Sequence, residues 1–85
     1  MSTITLCGDL DIYALTRIER AFASLADEHV VIDVRRVRTV SAAFFGALAR
    51  LRQRLPDSRI EVVGASTHVR TVFHIVHADA LVLVS

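Results

Sequence analysis

Cysteine occurs once in the 85 residues, at Cys7, which excludes an intramolecular disulfide and a cysteine-built metal cluster. Lysine and tryptophan are absent, proline occurs only at Pro56, and the three glycines, Gly8, Gly46 and Gly64, stand far apart. No Gly-x-Gly-x-x-Gly or Walker-type loop can be drawn from them, so no backbone cradle for a phosphate group is expected. Long apolar runs are also missing. The longest, Ala42 to Ala49, has eight residues counting Gly46, against the roughly 20 that cross a bilayer. The chain start lacks the basic segment and apolar core of a secretory signal and meets Asp9 and Asp11 almost at once. A cytoplasmic location is therefore expected, with no membrane partner. Cys7 falls in a strand-like stretch with no Lys, Arg or His beside it in sequence, and reads as a small buried hydrophobe rather than a reactive thiol.

What the chain does have is apolar mass. With 53% of residues hydrophobic and 22% charged, the composition describes one globular domain over residues 1–85 and excludes disorder. At this size folding buries only about 60% of the surface an unfolded chain exposes, so any uncovered apolar face matters. The net charge is +1 but unevenly spread: residues 1–34 sum to −4, residues 35–54 to +6 with six arginines and no acid, and residues 55–85 to −1. Neither an overall basic balance nor aromatic platforms accompany the arginines, so nucleic acid is not an expected partner. The arginine stretch reads as a solvated helix face, able at most to steer acidic partners.

Hydrophobic periodicity alternates along the chain. Thr3 to Gly8 is a short β-branched stretch with Ile4 and Leu6 on one face, as at a sheet edge. From Ile12 the apolar positions Leu15, Ile18, Phe22 and Leu25 fall at helical spacing, with Asp11 placed to cap the first turn. Val30 to Val34 reads as a buried central strand. Residues 42–55 put Phe44, Ala47, Leu48, Leu51 and Leu55 on one helical stripe, with Ser41 as the expected cap and Pro56-Asp57-Ser58 as the stop. Arg59 to Val63 forms another strand, and Gly64 breaks it. Ser66 or Thr67 then caps a helix whose stripe is Val69, Val72, Phe73 and Val76. Leu81 to Val84 is a last strand. The order βαβαβαβ with single-helix crossovers predicts an α/β domain with a largely parallel four-stranded sheet and three helices. Unreversed crossovers place all three helices on one face, and the uncovered face predicts a partner or self-association surface.

Catalytic chemistry is sparse. His74 and His77, three residues apart with Asp79 beyond, fall off the helix stripe and read as solvent-facing rather than as metal ligands. His29 and His68 lie in expected loops without a nucleophile or base, and Ser41 has no evident histidine to activate it. Asp9, Asp11 and Asp33 are the carboxylates expected to meet, at strand ends, in capping and turn roles. No metal and no cofactor is expected, and nothing points to an enzyme beyond the minor alternative of a small-ligand pocket near Ser41.

Gly8-Asp9-Leu10-Asp11, then a helix, then Val30-Val31-Ile32-Asp33-Val34, then Val37 through Leu51 together resemble the STAS domain of bacterial anti-sigma factor antagonists, over nearly the whole chain. The resemblance implies the STAS-type β–α superhelix, here lacking the usual C-terminal helix. In that family the first motif usually reads Gly-Glu-Leu-Asp and the central one Asp-Ser-Ser-Gly-Leu-Gly followed by Ala-Leu. Here the central stretch is Ser41-Ala42-Ala43-Phe44-Phe45-Gly46-Ala47-Leu48. The first serine of the family motif is the one phosphorylated by a partner anti-sigma kinase, and Ala42 occupies it. Ser41 replaces the motif aspartate, Ala43 the second hydroxyl residue, and Phe44 the first glycine. A phosphate there would add up to about two negative charges at a helix N-terminus; alanine can add none, so the switch is expected to be absent. Ser41, its oxygen occupied as a cap, is not expected to be modified in its place.

Periodicity and resemblance disagree about the two adjacent phenylalanines. The helical stripe buries Phe44, whereas the family motif buries Phe45 and leaves Phe44 exposed; the resemblance is preferred here, making Phe44 an expected contact anchor. The expected function is a non-catalytic protein-protein interaction module, an anti-sigma factor antagonist without its phosphosite, binding through Asp9, Asp11, Arg38, Ser41 and Phe44. The alternative is a scaffolding or dimerisation subunit of a transporter or stressosome-type assembly, with self-association into a homo-oligomer.

Overall fold

The computed structural model describes residues 1–85. Its elements are β1 (Ser2–Leu10), a 3-10 turn (Ile12–Ala14), α1 (Leu15–Ala23), β2 (His29–Val40), α2 (Ala42–Arg54), β3 (Arg59–Val63), α3 (Thr67–Ile75), a second 3-10 turn (Ala78–Ala80) and β4 (Leu83–Val84). The strands lie in the order β1-β2-β3-β4 and every neighbouring pair is parallel. The protein is thus α/β with three helices, and none of them is long and apolar enough to cross a membrane.

Right-handed crossovers that march along a sheet without reversing leave the helices on one face. Leu6 and Leu10 of β1, Val30, Ile32, Val34 and Val37 of β2, and Ile60 and Val62 of β3 are buried there. Ile18 and Phe22 of α1, Phe44, Leu48 and Leu51 of α2, and Val69 and Phe73 of α3 close over them. All 20 buried residues are apolar, and each large side chain removed from water contributes roughly 1.5–3 kcal/mol. On the alternate strand positions Thr3, Thr5, Cys7 and Leu83 are exposed, and Val31, Glu61 and Val63 are half-buried.

Several elements depart from their sequence pattern. The first two strands run on, β1 to Leu10 and β2 to Val40, rather than stopping at Gly8 and Val34. The extension of β2 is rich in arginine and so does not look like a strand, yet it pairs with the end of β1 and buries Val37. Two register shifts, between Thr5 and Cys7 and between Gly8 and Asp9, absorb extra β2 residues, and Gly8 sits within this irregular stretch at φ 76°. Asp11 holds Ile12–Ala14 in a tight turn, so the regular helix begins only at Leu15 and Ile12 faces solvent. The third helix stops at Ile75, which leaves Val76 off the buried stripe and 46% exposed. Cys7 is exposed, and Arg17 of α1 reaches it across the strand edge, with Nη1 3.9 Å from Sγ. Gly64 ends β3 at φ 75°, and a Cβ there would lie 2.9 Å from the Cβ of Arg35.

Arg52 fastens the C-terminal end of α2. Its guanidinium donates to the carbonyls of Leu55 at 2.6 Å, Pro56 at 2.9 Å, Ser58 at 2.6 Å and Leu81 at 3.3 Å. The residues it holds belong to the turn after α2 and to the approach to β4. Arg52→Ala is expected to lower the unfolding free energy by about 2 kcal/mol, and Arg52→Lys to recover less than half, because an ammonium cannot reproduce the planar fork. Urea unfolding midpoints measure both effects; a lysine variant as stable as the parent would contradict the clamp.

His29, expected in a loop, is the first residue of β2. Its Nε2 lies 2.7 Å from Oε2 of Glu61 on β3, and Arg59 Nη2 donates to Oε1 at 2.9 Å. Chiefly the His29 hydrogen bond, with help from Arg59 and against some desolvation, holds the Glu61 carboxyl below its ordinary pKa. A lowered folded value means that the stabilisation is present above the ordinary glutamate pKa of about 4.3 and is lost as pH falls through the folded value. Glu61→Gln should therefore flatten the acid side of the stability curve. Thermal midpoints followed downward from about pH 6 test this, and an unchanged slope would refute it.

Candidate functional site

The ends of β1 and β2 meet beside the start of α2, and this junction gathers most of the residues singled out in the sequence. Asp9 accepts from Arg38 Nη2 at 3.1 Å and from Thr39 Oγ1 at 3.0 Å. Asp11 caps the following turn, accepting from the amides of Tyr13 at 3.0 Å and Ala14 at 3.2 Å. Both carboxylates are thus engaged in fixing backbone and neighbours. Asp33 does not join them: it lies opposite Thr5, further down the sheet, and accepts from the amide of Arg35.

Ser41 behaves differently from the cap that was expected. Its backbone is extended, as at a helix N-cap, but its hydroxyl accepts no amide of α2. Instead Oγ donates to the Leu10 carbonyl at 2.9 Å, and the Ser41 amide donates to the same oxygen at 3.1 Å. The pull of β1 on this residue outweighs local capping, and it ties the start of α2 to the chain two residues before Ile12. Ala42 is exposed and Ala43 half-buried.

Phe44 cannot be the contact anchor anticipated for it. It is 0% exposed, with ring centroids 6.3 Å from Phe22, 5.4 Å from Phe45 and 6.0 Å from Phe73. Phe45 is half-buried against the core. The helical stripe was the correct guide, because the packing of α2 on the sheet fixes which residues point inward whatever occupies the motif positions. The aromatic presented to solvent is Tyr13, 94% exposed, beside Ile12 at 62%. Sequence reasoning passed over both as the start of a helix. A usable signal was there: an aspartate placed to hydrogen-bond two and three residues ahead makes a turn of residues 12–14, which here leaves Ile12 and Tyr13 outside and turns only Ala14 inward. Surface cavities lie elsewhere, the roomiest between Phe73 of α3 and Val84 of β4, and Ser41 lines none of them.

The sequence matches the family model described as "Mlab, STAS domain" over residues 1–84. The chain belongs to the STAS domain family. Among solved structures it is similar to the anti-sigma factor antagonist SpoIIAA in its unphosphorylated form, with a TM-score of 0.75 and 20% sequence identity over 98% of this chain and 77% of that one. That likeness shows the shared fold. No curated protein matches the sequence as a relative.

Several arginines of this STAS domain join one element to another. Arg50 donates to Glu19 at 2.8 Å and Arg54 to the Phe22 carbonyl at 2.6 Å, so both join α2 to α1, while Arg52 clamps the turn beyond α2. These three of the six arginines are thereby tied to other parts of the molecule, while Arg50 and Arg54 stay exposed, as expected of a solvated basic helix face. Arg38 remains at the junction, 3.1 Å from Asp9.

Proposed function

We propose that this STAS domain is a non-catalytic regulatory module that acts by binding another protein, in the manner of an anti-sigma factor antagonist, through the junction of β1, β2 and α2. Its contact surface comprises Asp9, Asp11, Ile12, Tyr13, Arg38, Ser41 and Ala42. The observation that carries the reading is the exposure of Ile12 and Tyr13 on a turn pinned by Asp11, next to a helix start pinned by Ser41. Rigidly presented aromatic and aliphatic side chains bind partners at low ordering cost. The carboxylates there are occupied with backbone amides, Thr39 and Arg38, which suits positioning rather than proton transfer.

On this reading the complex is not released by phosphorylation. Ala42 offers a methyl group where the family motif places its serine, and the Ser41 hydroxyl is held on the Leu10 carbonyl. Incubation with ATP and an anti-sigma factor of the histidine-kinase-like ATPase class should leave both the mass of the protein and its affinity unchanged. A phosphate gained at Ser41 together with weakened binding would overturn this. A second reading, a cytoplasmic scaffolding subunit of a transporter or stressosome-type assembly, draws support from Val31, Val63 and Leu83 on the sheet face without helices. A stoichiometric complex with a transporter subunit that survives Tyr13→Ala would favour it over the first.

A further inference from the structure

The arginines of the chain divide by what they meet. Arg35, Arg38, Arg50 and Arg59 pair with carboxylates, and Arg52 and Arg54 are spent on backbone carbonyls. Arg17, Arg20, Arg36 and Arg70 form no ion pair. Three of these four stand at one corner. Arg17 Nη2 lies 3.5 Å from the Cys7 carbonyl, and Arg36 is the β2 residue opposite Cys7, so α1 and β2 each bring an exposed arginine to that residue. Arg20 follows Arg17 by three positions and Tyr13 precedes it by four, which sets all three exposed side chains on one stripe. The acids of the corner are already engaged, Asp9 with Arg38 and Thr39 and Asp11 with the amides of Tyr13 and Ala14. Four arginines, counting Arg38, against these two carboxylates give the corner +2, more than the +1 of the whole chain. The remainder of the molecule is net negative.

We propose that the segment of the protein partner seated on Tyr13 is acidic, a stretch of aspartate and glutamate whose carboxylates take Arg17 and Arg36 on either side of Cys7. The inference rests on the reading of the β1, β2 and α2 junction as the contact surface, and it names the chemistry that surface selects. A guanidinium binds a carboxylate through two parallel N–H donors, and these two have no such acceptor within the chain. The contact from Arg17 to the Cys7 carbonyl is long for a hydrogen bond, so little is lost when the group turns to a carboxylate. An excess of positive charge at this corner, on a molecule otherwise slightly negative, also orients an acidic partner during approach. Nucleic acid fits the corner less well. Asp9, 43% exposed in its side chain, would oppose a continuous run of phosphates, and the single exposed aromatic, Tyr13, offers no series of stacking platforms.

Titration of the nitrogen-15-labelled chain with a synthetic peptide of glutamates around a central leucine tests the proposal, beside the same peptide with glutamine for glutamate. The acidic peptide shifts the amides of Cys7, Arg17 and Arg36 together with that of Tyr13, and its affinity falls at least about tenfold between ~50 and ~500 mM salt. Arg17→Glu combined with Arg36→Glu weakens it at least about tenfold. Arg70→Glu, on α3 beside β4 at the other edge of the sheet, leaves it unchanged. Thermal midpoints equal to the parent's show that both variants fold. A glutamine peptide that binds as tightly overturns the acidic partner while leaving the junction a contact surface. An acidic peptide that needs the arginines but ignores Tyr13→Ala upholds the acidic partner and overturns the turn as its anchor. Absence of binding, shifts confined to Arg70 or α2, or tighter binding of a single-stranded oligonucleotide to the same arginines would each overturn the proposal.

Discussion

Phe44→Ala is expected to lower the unfolding free energy by about 3–5 kcal/mol. The ring has no exposed surface and stands among Phe22, Phe45 and Phe73, so its removal leaves a cavity that three helices must collapse to fill. A domain of this length holds roughly 4–13 kcal/mol in all, so much of the population is expected to unfold at modest urea concentrations. Phe45→Ala should cost less, since that ring is already partly in water. Urea titration followed by circular dichroism separates the two. If Phe44→Ala folded like the parent but bound its partner poorly, the ring would be a contact residue after all, and the assignment of the core would fall.

Tyr13→Ala should do the reverse. With 94% of its surface exposed, the side chain contributes almost nothing to folding, and the urea midpoint is expected to stay where it is. Binding to the protein partner is expected to weaken by about 30-fold or more, corresponding to the loss of about 2 kcal/mol typical of an aromatic anchor. Ile12→Ala should weaken it less, and Tyr13→Phe should separate ring burial from any hydrogen bond made by the hydroxyl. Isothermal titration reads each affinity. A Tyr13→Ala protein that binds as tightly as the parent would remove the turn from the contact surface.

The architecture was legible because its signals are periodic. Val30 to Val34 could only be a buried strand, the Ile18 and Phe22 spacing only a helix face, and strands joined by single helices leave few topologies open. The site was less legible, for reasons visible at particular residues. The strand beyond Val34 hides under arginines because most of its side chains, Val37 apart, face solvent while its backbone pairs with β1. Ser41 occupies a capping position, yet its hydroxyl turns to the Leu10 carbonyl, a partner 31 residues away in sequence. Phe44 was misplaced because a motif position outweighed the helical stripe in the reading, whereas in the folded chain the stripe decides. Tyr13 escaped notice because nothing in its own identity distinguishes an exposed turn aromatic from a buried one. Only the hydrogen bonds of Asp11 do so.

Hydrogen–deuterium exchange on the domain, alone and in complex with a histidine-kinase-like anti-sigma factor, examines the docking surface residue by residue. New protection is expected in the segments Asp9 to Tyr13 and Arg38 to Ala43, with β3 and β4 exchanging as before. Protection confined instead to the strands around Val31, Glu61 and Leu83 would place the partner on the helix-free side of the sheet and contradict the account.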